Sequence, residues 1–447
     1  MSNPFKNTNS YLSYPVLIIS FLGYVYLAYF LERTATPELM ITYTILFVSY
    51  IVLLFIPKVS QNVDLFSNIS LLIRCSLLFS LPNLSDDFYR FIWDGRLLNE
   101  GINPFTHLPS YYLDHPTLAP PGIDEDLYLK LNSQDYFTIY PPVNQFLFWL
   151  ATYLSPQSIL GSVIVIRVAI LLAEVGTIAI IRKLLAIYRL PPKNVLIYAL
   201  NPLAILELTG NLHFEGLVIF FVLGAVYLLH QKKLLYAAVS FALAIGTKLI
   251  PVIFLPVLFS RLSVKKTIIF YVITGVVTLL LFLPLLNAEF VEGISSSFSL
   301  YFKKFEFNAG VYYLLRAYGY HLEGYNIIGM AGGFLALATF VIIIHYAFYE
   351  SVTRHHILLF TFLWILMIYL SLTTTLHPWY IIPLVAYCLF TNYRFPIIWS
   401  LLIFLTYVNY STLGFKENLH IVTVEYVILL AFLWWELGGN SRKKLSF

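Results

Sequence analysis

Long apolar runs recur along almost the whole chain, and they restrict its fold more than any other feature. They cover 12–31, 40–57, 67–83, 159–181, 194–209, 215–230, 234–260, 267–286, 327–347, 357–374, 379–391, 396–411 and 421–437. A helix crossing a bilayer needs about 20 mostly apolar residues. Inside a bilayer only helices and closed barrels satisfy every backbone polar group. Runs of this length therefore predict an all-α polytopic membrane protein, with about 12–14 spanning helices. Composition agrees: 59% of the 447 residues are hydrophobic and 11% are charged. Soluble domains carry roughly a quarter charged residues. The first run lacks a small-residue cleavage site and reads as a retained helix rather than a signal peptide. A net charge of +4 suits basic cytoplasmic loops and gives no reason to expect a nucleic-acid partner. Cys75 and Cys388 both fall in apolar runs. They read as buried thiols, which leaves no disulfide framework and no cysteine metal site.

Charge bias orients the chain. Arg182, Lys183, Arg189 and Lys193 share one loop, and Lys232-Lys233, Arg261/Lys265/Lys266 and Arg442-Lys443-Lys444 mark others. All of these sit in the cytoplasm if 234–260 is split at Gly246-Thr247-Lys248 into two half-length helices. The segment 84–143, the turn Asn211–Glu215, the segment 287–326 and Leu376–Trp379 then lie outside. The chain is expected to be one membrane domain: helices over 1–83, a catalytic loop over 84–143, and further helices and loops over 144–447. Nearly every unusual polar residue gathers on the outer face.

Five constellations carry chemistry. Asp86-Asp87 are followed by Tyr89, Arg90, Trp93, Asp94 and Arg96. A carboxylate here can serve as general base toward a sugar hydroxyl, arginine forks suit a phosphate, and Trp93 and Tyr89 offer flat faces to a sugar ring. A solvated interfacial loop is the structural alternative. Tyr140-Pro141-Pro142 precedes Gln145, and the prolines also suit a rigid helix entry. Glu207 lies within an apolar run and is expected to be functional or paired. His213 and Glu215 are too few to define a metal site, and Asn211 and Glu215 also suit a capping or loop-ordering role. Lys248 sits between apolar residues, where it either snorkels or meets an anion. Lys303, Lys304, Asn308 and Arg316 occupy the other long outer segment, and His377, Trp379 and Tyr380 occupy the last outer turn. These supply cations for a phosphate, an imidazole and aromatic platforms; an aromatic membrane belt is the plainer reading of the Trp-Tyr pair.

With these motifs in hand, the chain resembles the GT-C glycosyltransferases. The nearest likeness is to bacterial polyprenol-phosphate-mannose-dependent mannosyltransferases and their GPI mannosyltransferase relatives. The likeness rests on Ser85–Arg96, Gly101–Phe105, Tyr140–Pro142, Phe307–Arg316 and His377–Tyr380, in the family's order. It implies a multi-pass bundle whose catalytic aspartate lies in the first large outer loop, so Asp86 takes the place of the base and Asp87 neighbours it. Superfamily members usually carry that loop after one helix; here three apolar runs precede it. The resemblance implies inverting transfer of a sugar, mannose first among candidates, from a polyprenyl-phosphate donor to a glycan or glycolipid acceptor. The setting implied is a bacterial cytoplasmic membrane with the site on its outer side. No organic cofactor is expected, and a divalent cation is left open. The competing class is a transporter or flippase of lipid-linked sugars, although the internal repeats common among transporters are not evident.

Overall fold

The computed structural model describes residues 10–303, 305–353 and 357–443. It is predominantly helical. Among the described residues the strands are one short antiparallel pair, Tyr410–Ser411 with Gly414–Phe415. The protein is thus an all-α polytopic membrane protein, as the apolar runs predict.

Among the described residues, five helices are long and apolar enough to cross a bilayer: Thr36–Phe55, Ile159–Ile187, Val264–Leu285, Ile328–Tyr349 and Leu419–Gly438. A sixth candidate is broken, as Ala204–Gly210 followed by Glu215–His230. Other apolar runs form shorter helices such as Ser13–Tyr29, Leu234–Thr247 and Leu358–Leu372. Apolar run length therefore overstates helix length, because prolines and buried polar residues interrupt the runs. The run 194–209 shows how. Pro202 has no N–H to donate, and the Asn201 side chain replaces the local ladder. Its Oδ1 accepts from the Ala204 N–H (3.1 Å), while its Nδ2 donates to Ser400 Oγ (3.0 Å). The run becomes a helix over Val195–Ala199 and a π-helix over Ala204–Gly210. The run 234–260 breaks where expected, at Lys248, into Leu234–Thr247 and a shorter piece ending in the helix Leu255–Arg261.

Outward faces are apolar. Only 17% of the most apolar stretch of Val264–Leu285 and 28% of that of Ile328–Tyr349 are buried within the protein. Such surface is stable against lipid and would be an aggregation hazard in water. This also corrects one expectation: Cys75 is exposed on its helix, whereas Cys388 is buried as foreseen. A thiol behaves as a small hydrophobe, so lipid gives no reason to hide it.

The chain forms two compact units. The first comprises Met1–Leu77, Ile181–Leu208 and Phe305–Phe447. There Thr36–Phe55 packs on Ser13–Tyr29, and Leu358–Leu372 on Ile328–Thr353. Tyr43 stacks on Phe404 at 3.6 Å, and the Arg74 guanidinium donates to the Ala199 carbonyl at 2.6 Å. Glu207 is paired, accepting from the Tyr407 hydroxyl at 2.7 Å.

The second unit comprises Leu78–Ile180 and Thr209–Lys304. Here the segment 84–143 carries the helices Asp87–Asn99, Pro109–Asp114 and Glu125–Leu129, joined by turns and irregular stretches. Helix Asp87–Asn99 packs closely on Pro142–Leu154, and Leu234–Thr247 packs on Glu215–His230 and Val264–Phe282. Gly95 sets the first of these contacts. A Cβ there would lie 2.3 Å from the Phe148 carbonyl oxygen and 2.6 Å from Thr152 Oγ1. Asn99 Nδ2 reinforces the contact by donating to Thr152 Oγ1 at 2.6 Å. Gly95→Ala is therefore expected to lower stability by about 1–3 kcal/mol, the usual cost of overpacking, read as a lower melting midpoint in detergent. An unchanged midpoint would refute this account of the glycine.

Candidate active site

The second unit holds the first, second and fourth constellations and the His213–Glu215 part of the third, whereas Glu207 lies in the first unit. Asp86 is the residue before helix Asp87–Asn99, and its carboxylate does not cap that helix. Asp87 opens the helix, where a carboxylate is favoured by the helix dipole. Its Oδ1 accepts from Asn132 Nδ2 at 2.7 Å. Both aspartates are half-buried.

The turn Asn211–Phe214 brings up the next groups. Its backbone is forced: Leu212 has φ 63°, rare for a branched residue, and its side chain is fully buried. Phe214 anchors the turn in an aromatic cluster with Phe91, Tyr140 and Phe148, at centroid distances of 5.2, 6.4 and 5.6 Å. Asn211 Oδ1 accepts from the Leu84 N–H at 3.2 Å, tying the turn to the residues just before Asp86. His213 is buried, and the charges of Asp87, Glu215 and Lys248 all act on it. Glu215 opens the next helix and pairs with the Lys248 ammonium. Lys248 sits at the break after Leu234–Thr247, in extended backbone. Asn144 steadies that break by donating from Nδ2 to the Thr247 carbonyl at 3.0 Å.

Burial pushes the His213 imidazole down to about 4; Lys248 adds to the shift, while Asp87 and Glu215 oppose it. The ring is neutral at neutral pH. Between the ordinary value of 6.5 and about 4, the unfolded chain binds a proton that the folded chain rejects. Stability should therefore fall as pH drops through that window, by up to roughly 1.4 kcal/mol per pH unit. Melting midpoints of the wild type and His213→Gln between pH 7 and pH 4.5 test this. The variant should show the shallower slope, and equal slopes would refute it.

Other residues of the acidic motif are engaged by the protein itself. Arg90 Nε donates to Asp94 Oδ1 at 2.7 Å, an i,i+4 pair, and Arg90 Nη1 donates to the carbonyls of Ser133 and Tyr136 at 3.2 and 2.8 Å. Asp94 Oδ2 also accepts from Thr138 Oγ1 (2.5 Å) and Gln145 Nε2 (2.9 Å). This buried network folds the segment 133–145 onto the helix. Arg96 donates to the Gly122 and Pro156 carbonyls at 2.6 and 3.2 Å. Trp93 is buried against Tyr112 and Tyr128. Tyr140 packs edge-on against Phe91. Tyr89 is half-buried; burial raises its hydroxyl, Lys130 opposes this, and Asp86 adds to it.

The fifth constellation lies mostly in the other unit. Arg316 Nη1 donates to Glu306 Oε1 at 2.5 Å, and its guanidinium stands 4.4 Å from the Tyr313 ring centroid. Asn308 has φ 47°, a conformation asparagine tolerates. Its N–H donates to Glu417 Oε1 at 2.6 Å, and its Nδ2 reaches both Glu425 oxygens at 3.1–3.2 Å. Trp399 Nε1 donates to the same Glu425 at 2.8 Å. His377 stacks on Trp379 at 4.6 Å, and Tyr380 meets the imidazole edge-on at 5.5 Å. Lys304 and the side chain of Lys303 lie outside the described residues. Among the described residues, no three His, Cys, Asp or Glu side chains converge as metal ligands would.

Sequence reasoning missed Asn132 and Arg167, whereas the loop-ordering role expected of Asn211 is the one it plays. Asn132 carries no local signature. Arg167 did leave one: a single arginine within the run 159–181 is costly enough to demand a use.

No curated protein is similar enough to the chain to count as a relative. The family model that matches describes the N-terminal domain of alpha-(1->6)-mannopyranosyltransferases and covers residues 32–263. That range takes in the two aspartates, the His213 turn and Lys248, and it exceeds half of the chain. The chain therefore belongs to the alpha-(1->6)-mannopyranosyltransferase family.

Proposed function

We propose that the chain transfers mannose from a polyprenyl-phosphate carrier to a glycan or glycolipid acceptor on the extracytoplasmic face of the membrane. The family name suggests an α-(1→6) linkage for the product. One observation carries the reading. Four separate stretches of the second unit, around residues 86, 132, 213 and 248, bring together two carboxylates, a neutral imidazole and a buried Lys–Glu pair.

Asp86 acts as the base. It takes the proton from the acceptor hydroxyl as that oxygen attacks the anomeric carbon, and the carbon–oxygen bond to the donor phosphate breaks. The polyprenyl phosphate leaves with the bonding electrons as an anion already stable at neutral pH, so no general acid is required. Lys248 holds the phosphate, and Glu215 keeps the ammonium in place. Asp87, fixed by Asn132, adds negative potential where the oxocarbenium-like centre develops. Inversion follows from a single displacement. The outer location is supported by the bias of Lys and Arg toward the opposite loops.

Purified protein should release polyprenyl phosphate and mannosylate a suitable acceptor when given polyprenyl-phosphate-mannose. Mass spectrometry and linkage analysis of the product test this. Donor consumption with no glycosidic product, or transfer from a nucleotide sugar alone, would overturn the proposal.

A further inference from the structure

Arg167 is fully buried within the helix Ile159–Ile187, on a candidate membrane span. A lone guanidinium at such a position is expensive unless its donors are used. Here they are. Nε donates to the Thr209 carbonyl at 2.7 Å and Nη2 to the Gly210 carbonyl at 2.9 Å, while Nη1 donates to the Leu78 and Ser80 carbonyls at 2.8 and 2.6 Å. All four acceptors are backbone oxygens at chain breaks. Thr209 and Gly210 end the π-helical turn, one residue before Asn211. Leu78 and Ser80 lie in the irregular stretch between the helix Val63–Ser76 and Asp86. Such carbonyls lack helical partners, and a bilayer offers no water to replace them. One planar fork serves both breaks, which a lysine ammonium cannot imitate.

The two breaks lead directly to the two halves of the candidate site. One runs into Asp86-Asp87, the other into His213 and Glu215. The Leu84–Asn211 bond ties the same segments a second time. We infer that Arg167 is a positioning residue: it sets the register between the aspartate segment and the imidazole–glutamate turn, and so the distance between the base and the phosphate site. The clamp stands on its own geometry, whereas its effect on turnover rests on the proposed transfer.

The experiment pairs hydrogen–deuterium exchange with kinetics for the full-length wild type, Arg167→Lys and Arg167→Met. In Arg167→Met, the segments 78–86 and 209–214 should both exchange faster, with the rest of the protein unchanged. With polyprenyl-phosphate-mannose, kcat should fall on the order of 10²-fold, the usual effect of a small misplacement of reacting groups, while KM for the donor changes little. Arg167→Lys should loosen the two segments less and recover part of kcat. Faster exchange throughout the protein would mean a general stabilising role and overturn the inference. So would loosening of one segment alone, or paired loosening with kcat intact. Should the wild type fail to turn over this donor, the transfer reading fails by itself, and the exchange pattern still decides whether Arg167 clamps the two breaks.

Discussion

Asp86→Asn is expected to cut mannosyl transfer by about 10²–10⁴-fold, the range in which loss of a general base falls, with the protein still folded and donor-competent. Melting midpoints separate this loss from a folding defect. The Asp86 carboxylate does not cap the helix it precedes, so the isosteric amide removes no cap. Asp87 differs, because Asn132 donates to it and its charge reaches His213. Asp87→Asn should therefore cost less in rate than Asp86→Asn, and it should also disturb the Asn132 contact. Single-turnover kinetics with polyprenyl-phosphate-mannose, alongside donor binding and melting midpoints, measure all three effects. If the two variants exchange ranks, the base is Asp87. If both keep near-normal rates, this motif is not the catalytic one.

Lys248→Met should have the next largest effect, and on two quantities at once. Lys248 and Glu215 form a largely buried ion pair, with side chains 20% and 4% exposed. Removing one member of such a pair leaves the other charge without compensation, which typically costs about 3–5 kcal/mol. The double variant Lys248→Met/Glu215→Gln removes both charges and should recover most of that stability. It should not recover transfer, because the ammonium assigned to the donor phosphate is still missing. Recovery of both properties would make the pair purely structural. A single variant as stable as the wild type would show that the pair is not isolated from solvent. Arg316, another cation considered for a phosphate, is already committed to Glu306 and Tyr313.

How far the sequence predicts function depends on the residue. The Ser85–Arg96 stretch reads as one polar constellation, yet its members divide by helical phase. Arg90 and Asp94, four residues apart, fall on one face and lock to each other and to Gln145. Trp93 turns inward and is covered. Asp86 and Asp87 remain half-exposed at the helix start. Residue type alone could not separate these roles, because an arginine fork fits a phosphate and a backbone carbonyl equally well. His377 and Trp379 were likewise visible as an unusual pair, but their stacking on each other and near Phe307 comes from packing in the other unit.

The order of residues alone sets the class of fold and the chemistry on offer. A bilayer rewards one property, apolar length, and leaves the backbone only the helix, so the spans and the polar stretches between them are legible by composition. It also determined the break at Lys248 and the acidic motif, since a charge among apolar neighbours is costly wherever it falls. What the tertiary structure alone decided is which polar groups meet. Asn132, His213 and Lys248 stand 45 or more residues from Asp87 in sequence, and Arg167 joins carbonyls near 80 and 210. Contacts at that separation follow from how helices pack and where their carbonyls run out of partners, and neither leaves a period or a motif in the chain.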